Sequence, residues 1–274
     1  MNARSIRPCR EAARHCGAQR RTSFAAQSAA QSLRRAAAFV IAAAALASAS
    51  ARAEGPATNA PAPRVVACVG DSITWGGGGK NAYPSLLQAE LGEGWEVRNF
   101  GVNSRTARRE GKEFDLRPGD LDYRKTLSYT KSLSCKPDVV ILMIGTNDSK
   151  PPNWEETGDA FREGYADLVE GYLALDPRPV VVIGISPTVK GGGFTYGVTE
   201  KIVGGGVVPV QRRIAEEKGL PTVDCRAVLD PHMATAYSGD GLHPNAEGNA
   251  LLAAAFAAKL RELAPAIDAH RREP

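Results

Sequence analysis

Histidine is scarce in this chain, four in 274 residues, and cysteine hardly less so, with five. No Cys-x-x-Cys pair and no His-Glu-x-x-His run occurs, so the sequence offers no metal site and implies no cofactor. Cys9 and Cys16 fall in an N-terminal leader. The other three, Cys68, Cys135 and Cys225, are an odd number and permit at most one intramolecular disulfide. Cys68 and Cys225 sit in apolar, strand-like runs and are expected to be buried thiols. No stripe of Lys and Arg with interleaved aromatics follows the leader, which argues against nucleic acid as a partner. The apolar run over residues 36–47 is too short to span a bilayer comfortably.

That run is better explained as an export signal. Residues 1–53 are rich in Ala and Arg, Arg34-Arg35 precede the apolar stretch, and Ala51-Arg52-Ala53 follows as a small-x-small cleavage site. A membrane anchor or an amphipathic transit peptide is the competing reading. The long basic region leaves open a start downstream of Met1, or a degenerate twin-arginine signal. The expected organisation is a signal peptide over 1–53, a Pro/Ala linker over 54–63 and one domain over 64–274 in a secreted or periplasmic protein. Residues 1–53 hold 9 of the 34 basic and 1 of the 30 acidic residues. The remaining 221 residues carry 25 basic and 29 acidic residues, so the net positive charge belongs to the leader.

Beyond the linker, continuous apolar runs alternate with helical periodicity. Strands are expected at Arg64–Gly70, Trp95–Phe100, Asp138–Gly145, Val180–Ile185 and Leu220–Asp224. Helices are expected at Tyr83–Leu91, Trp154–Leu175, Pro209–Lys218 and Ala246–Leu263. Such an alternation predicts a three-layer α/β/α sandwich with a mostly parallel five-stranded sheet in the flavodoxin-like order. Sites in such sheets lie beyond the carboxyl ends of the strands. Arg105–Lys136 fits no clean period and is expected to be a loop plus a helix beside the site. Gly191–Gly197 is expected to be either a mobile substrate loop or a plain solvent loop.

Four short motifs occur in order: Gly70-Asp71-Ser72-Ile73-Thr74, Asn99-Phe100-Gly101-Val102-Asn103, Gly145-Thr146-Asn147-Asp148 and Asp240-Gly241-Leu242-His243-Pro244-Asn245. Ser72 is a candidate nucleophile, although a serine after Gly-Asp can also be a plain turn or cap residue. His243 is the candidate base. Asp240, three residues before it, can fold back onto Nδ1, though an Asp-x-x-His turn can equally be structural. The Ser72 and Gly101 backbone N–H groups and the Asn147 amide are candidate oxyanion donors. Thr74 rules out the Gly-x-Ser-x-Gly elbow, and Thr74 with Asn81 rules out a phosphate loop in Gly76–Gly79.

These motifs resemble the four blocks of the SGNH (GDSL-type) hydrolase family, named for its Ser, Gly, Asn and His, here matched by Ser72, Gly101, Asn147 and His243, with Asp240 as the triad acid. Tyr83-Pro84, Trp95–Gly101, Gly145–Pro151 and Asn153-Trp154 are similar to its exported sialate O-acetylesterase-like, or carbohydrate acetylesterase, branch. The resemblance implies a serine esterase that removes short acyl groups, most often acetyl, from sugars. Many relatives carry Gly where this chain has Ser104. A lipase-, arylesterase- or thioesterase-type activity at the same site, and a catalytically silent carbohydrate-binding protein, are the other readings. The expected partner is a small or polymeric ester substrate, with no nucleic acid and no lasting membrane insertion.

Overall fold

Five strands, β1 (Arg64–Gly70), β2 (Trp95–Gly101), β3 (Val139–Met143), β4 (Val180–Ile185) and β5 (Thr222–Asp224), pair in parallel in the spatial order β2-β1-β3-β4-β5. This computed structural model describes residues 62–111, 119–155 and 157–272. The leader, the linker up to Pro61 and residues 112–118 of the Arg105–Lys136 segment lie outside the described residues. Among the described residues, the α-helices of four residues or more are α1 (Ser72–Trp75), α2 (Tyr83–Leu91), α3 (Leu127–Ser134), α4 (Asp159–Leu173), α5 (Val208–Glu217), α6 (Cys225–Leu229) and α7 (Ala246–His270). Among the described residues, no helix is long and apolar enough to cross a membrane.

Strand side chains alternate between the two faces of the sheet, and the two faces build separate cores. Ala67, Val69, Val140 and Leu142 pack with Phe161, Tyr165 and Leu168 of α4 and with Ile214 of α5. Val66, Cys68, Ile141 and Met143 pack with Tyr83 and Leu87 of α2 and with Leu252, Phe256 and Leu260 of α7. Both faces are therefore covered, which is why β1 and β3 read as unbroken apolar runs. Burial pushes the Cys68 thiol up to about 12, so it behaves as a small apolar side chain. The three cysteines described are free.

Several element ends differ from the sequence expectation. α4 starts at Asp159 rather than Trp154, because Gly158 adopts a left-handed φ of 67° just before it. β3 stops at Met143, two residues short of Gly145, whose φ of 139° breaks the extended run. β5 is reduced to Thr222–Asp224. α7 runs past Leu263 and through Pro265 to His270. Ile267 is buried there, and Asp268 takes two hydrogen bonds from Arg64, at 2.8 and 2.7 Å. That packing and ion pair hold the turns beyond the proline, which a local propensity argument counts as a stop. The Arg105–Lys136 segment includes α3, capped by the Thr126 hydroxyl, which accepts from the Tyr129 N–H at 3.1 Å.

Phe256 stacks on Tyr83, with ring centroids 5.2 Å apart and planes at 26°, and is fully buried between α7 and the sheet. Phe256→Ala is predicted to cost about 3–5 kcal/mol of unfolding free energy, read as a shift of the urea midpoint at constant slope. A loss below about 1 kcal/mol would contradict this description of the second core.

Candidate active site

β1 delivers Ser72. The strand ends at Gly70, where a Cβ would lie 2.2 Å from both the Met143 carbonyl and the Thr74 hydroxyl, so the chain turns there with no room for a side chain. Asp71 caps the turn, its Oδ1 accepting from the Ile73 N–H at 3.0 Å. Ser72 is thus the first residue of α1, and Gly76 ends that helix in a left-handed conformation, φ 54°.

The segment before α7 delivers the base. Asp240 Oδ1 accepts from the Leu242 and His243 N–H groups at 2.9 and 3.0 Å. Its Oδ2 lies 2.6 Å from His243 Nδ1. His243 Nε2 lies 2.8 Å from Ser72 Oγ. A carboxylate at Nδ1 selects the tautomer with its proton there, leaving the Nε2 lone pair for the serine hydroxyl. Burial pushes the Asp240 carboxyl up, but the His243 ring and the two backbone N–H groups outweigh it and hold the group below its ordinary value. Asp240 therefore both shapes the turn and faces the imidazole.

Asn147 opens the turn after β3 and lines the same cavity as Ser72 and His243, a cleft of about 470 Å³. Its Nδ2 donates to the Arg105 carbonyl at 3.2 Å, which uses one of its two protons.

Gly101 is a correction. Its N–H donates to Asn99 Oδ1 at 2.9 Å, and it does not line the cavity. A Cβ there would lie 2.2 Å from the Trp75 nitrogen, so this glycine lets the end of β2 close on α1. The residue that reaches the cleft from this loop is Ser104, together with Asn103. Ser104 has a φ of 62°, in the left-handed region that glycine occupies without penalty. The only signal for it in the sequence is the resemblance noted above, in which Ser104 departs from the family pattern.

Two buried carboxyls lie behind the cleft. Asp148 Oδ2 accepts from the Ala107 N–H at 3.0 Å, and its Oδ1 from the Arg108 N–H at 2.8 Å. It joins the turn that carries Asn147 to the loop that carries Ser104. Burial pushes the Asp148 carboxyl up to about 7 despite those two donors, with the neighbouring Asp71 adding to the rise. Burial likewise pushes Asp71 up to about 6. Sequence reading quoted Asp148 only as part of a motif, because nothing local marks a carboxyl whose partners lie forty residues away.

Residues 68–251 match the sequence model of the GDSL-like lipase/acylhydrolase family. The chain is 31% identical over 225 residues to an acetylxylan esterase of Xylanibacter ruminicola, covering 73% of this chain and 45% of that protein. It thus spans about half the length of that relative. A carbohydrate acetylesterase family member from Sinorhizobium meliloti superposes with a TM-score of 0.59 at 24% identity, over 73% of this chain and 98% of the other. The native aryl esterase of M. smegmatis superposes with a TM-score of 0.59 at 22% identity, over 73% and 99%. At these identities the structural likeness is one of fold.

The raised Asp148 carboxyl sets a pH dependence of stability. Its folded value lies above the ordinary carboxylate value of about 3.9, so its contribution is complete below about pH 4 and is lost as pH rises through about 7. The stability advantage of wild type over Asp148→Asn, measured by urea unfolding, is predicted to shrink between pH 4 and 8. A gap that stays constant or widens would show that Asp148 is ionised throughout this range.

Proposed function

The chain belongs to the GDSL-like lipase/acylhydrolase family, and on that premise we propose that it is a serine carboxylic-ester hydrolase that removes short acyl groups, acetyl foremost, from carbohydrates. The observation that carries the reading is the continuous relay Asp240–His243–Ser72, with contacts of 2.6 and 2.8 Å opening onto one cleft.

In this mechanism His243 Nε2 takes the Ser72 hydroxyl proton as Oγ attacks the ester carbonyl carbon. The carbonyl oxygen gains the negative charge and receives hydrogen bonds from the Ser72 N–H, the second Asn147 amide proton and the Ser104 N–H. The last of these takes the role that sequence reading gave to Gly101. The tetrahedral intermediate collapses, its C–O bond to the alcohol breaks, and His243 returns the proton to the departing oxygen. Water then attacks the acyl-serine, with His243 again taking a proton, and releases the acid and free Ser72. Asp240 keeps the imidazole oriented and offsets its charge while it holds the proton.

The acetylxylan esterase relative supports acetyl as the group removed and a sugar as its carrier. The cleft supports it too: Asn103, Ser104, Lys150, Ser238 and Asn249 interleave with Ile73, Trp75, Tyr196, Leu242 and Pro244, unlike a channel for a long acyl chain. The basic leader with its small-x-small site supports action outside the cytoplasm.

With p-nitrophenyl esters, acetyl is predicted to be turned over faster than octanoyl. Ser72→Ala is predicted to remove turnover, at least about a thousandfold, and Asn147→Ala to lower kcat by about 10²–10³. An active Ser72→Ala enzyme would overturn the assignment of the nucleophile.

A further inference from the structure

Four large apolar side chains stand exposed among the described residues; two of them line the Ser72 cleft and a third packs on one of these. Trp75 is 41% exposed, Tyr196 48% and Phe194 72%; the fourth, Leu127, starts α3. Trp75 and Tyr196 line the cleft itself. Phe194 packs edge-on against Tyr196, centroids 4.8 Å apart, and Tyr196 stands edge-on to the His243 ring at 6.2 Å. Exposed aromatic surface carries a hydration cost, and its concentration at one cavity marks a binding surface.

The loop that carries two of these rings is fixed to the base. The Gly191 N–H donates to the Gly241 carbonyl at 3.1 Å. A Cβ on Gly193 would lie 2.3 Å from the Gly239 carbonyl, and one on Gly241 would lie 2.1 Å from the Gly191 carbonyl. The loop therefore lies directly against the segment that presents Asp240 and His243, at a distance only glycines allow. Tyr196 itself has a φ of 56°, a left-handed conformation unusual for an aromatic residue. Backbone strain of this kind persists where the surroundings impose it and gathers at ligand-binding segments.

From this geometry, and resting on the esterase reading above, we propose that Trp75, Phe194 and Tyr196 form an aromatic subsite that seats the pyranose ring bearing the ester. A pyranose has apolar C–H faces and a polar edge. Aromatic walls suit the faces, and Asn103, Ser238 and Asn249 in the same cleft can meet the hydroxyls. A ring seated between Trp75 and Tyr196 holds its acyl oxygen beside Ser72 and His243, so ring binding becomes orientation of the ester. The subsite makes this chain selective for esters on sugar rings over esters of open-chain alcohols.

The test compares kcat/KM on the fully acetylated methyl β-xylopyranoside with kcat/KM on triacetin, an acetyl ester with no ring. Phe194→Ala and Tyr196→Ala are each predicted to lower the ratio of the two by roughly two- to tenfold, mainly through KM on the sugar. Tyr196→Phe keeps the ring and is predicted to restore the ratio. Phe194 is too exposed for its loss to disturb the core, so that variant reads binding rather than folding. Ratios unchanged in both alanine variants, even with both rates reduced, would overturn the subsite and leave the esterase standing. A folded wild-type protein inactive on both esters would overturn the esterase reading and the subsite with it.

Discussion

Gly70 pairs with Gly101 on one side and with Met143 on the other, so three neighbouring strands end level with one another. Everything proposed for this protein depends on that register. The turns leaving those ends carry Ser72, Ser104 and Asn147, and a shift of one residue in either pairing would send a strand's side chains to the opposite core. The two fully covered faces forbid such a shift, because each face holds its own set of buried aromatic and aliphatic residues. The site is thus precise because the sheet is buried, and the short turns inherit their positions from it.

The fourth turn arrives from the end of the sequence. α7 packs against α2 and the sheet, and the segment preceding it brings Asp240 and His243 over α1. The Asp240 carboxylate makes three contacts, two to backbone N–H groups and one to the ring. Rotating it away from the imidazole would leave the turn's donors unsatisfied. Asp148 does the same service on the other side of the cleft, where its two oxygens hold the Ala107 and Arg108 N–H groups. A buried carboxyl is costly in a dry interior, and the two N–H donors that meet Asp148 offset part of that cost while fixing a loop.

Much of this was legible in the sequence, because the strands are unbroken apolar runs and the motifs sit at their carboxyl ends. β1, α2 and β4 have the boundaries that periodicity gives them. Local pattern failed where long-range contacts decide. Nothing near Pro265 signals that Asp268 will pair with Arg64, two hundred residues earlier. Gly101 looked like a donor because glycines admit close approach, and it does admit one, but the approaching group is the Trp75 backbone. Ser104 stands out in the sequence only as a departure from the family pattern, because its left-handed backbone belongs to the folded loop. The aromatic rim is hidden for the same reason: Trp75 and Tyr196 are far apart in sequence, and only the fold places both on one cleft.

The proposed chemistry rests on Ser72 as a nucleophile activated by the His243–Asp240 pair. Its most direct test is to treat the folded protein with a fluorophosphonate and locate the adduct by peptide mass spectrometry. One covalent adduct per chain is expected, on Ser72, with the rate of labelling greatly reduced by His243→Ala. An unlabelled Ser72, or an adduct confined to another residue, would contradict it.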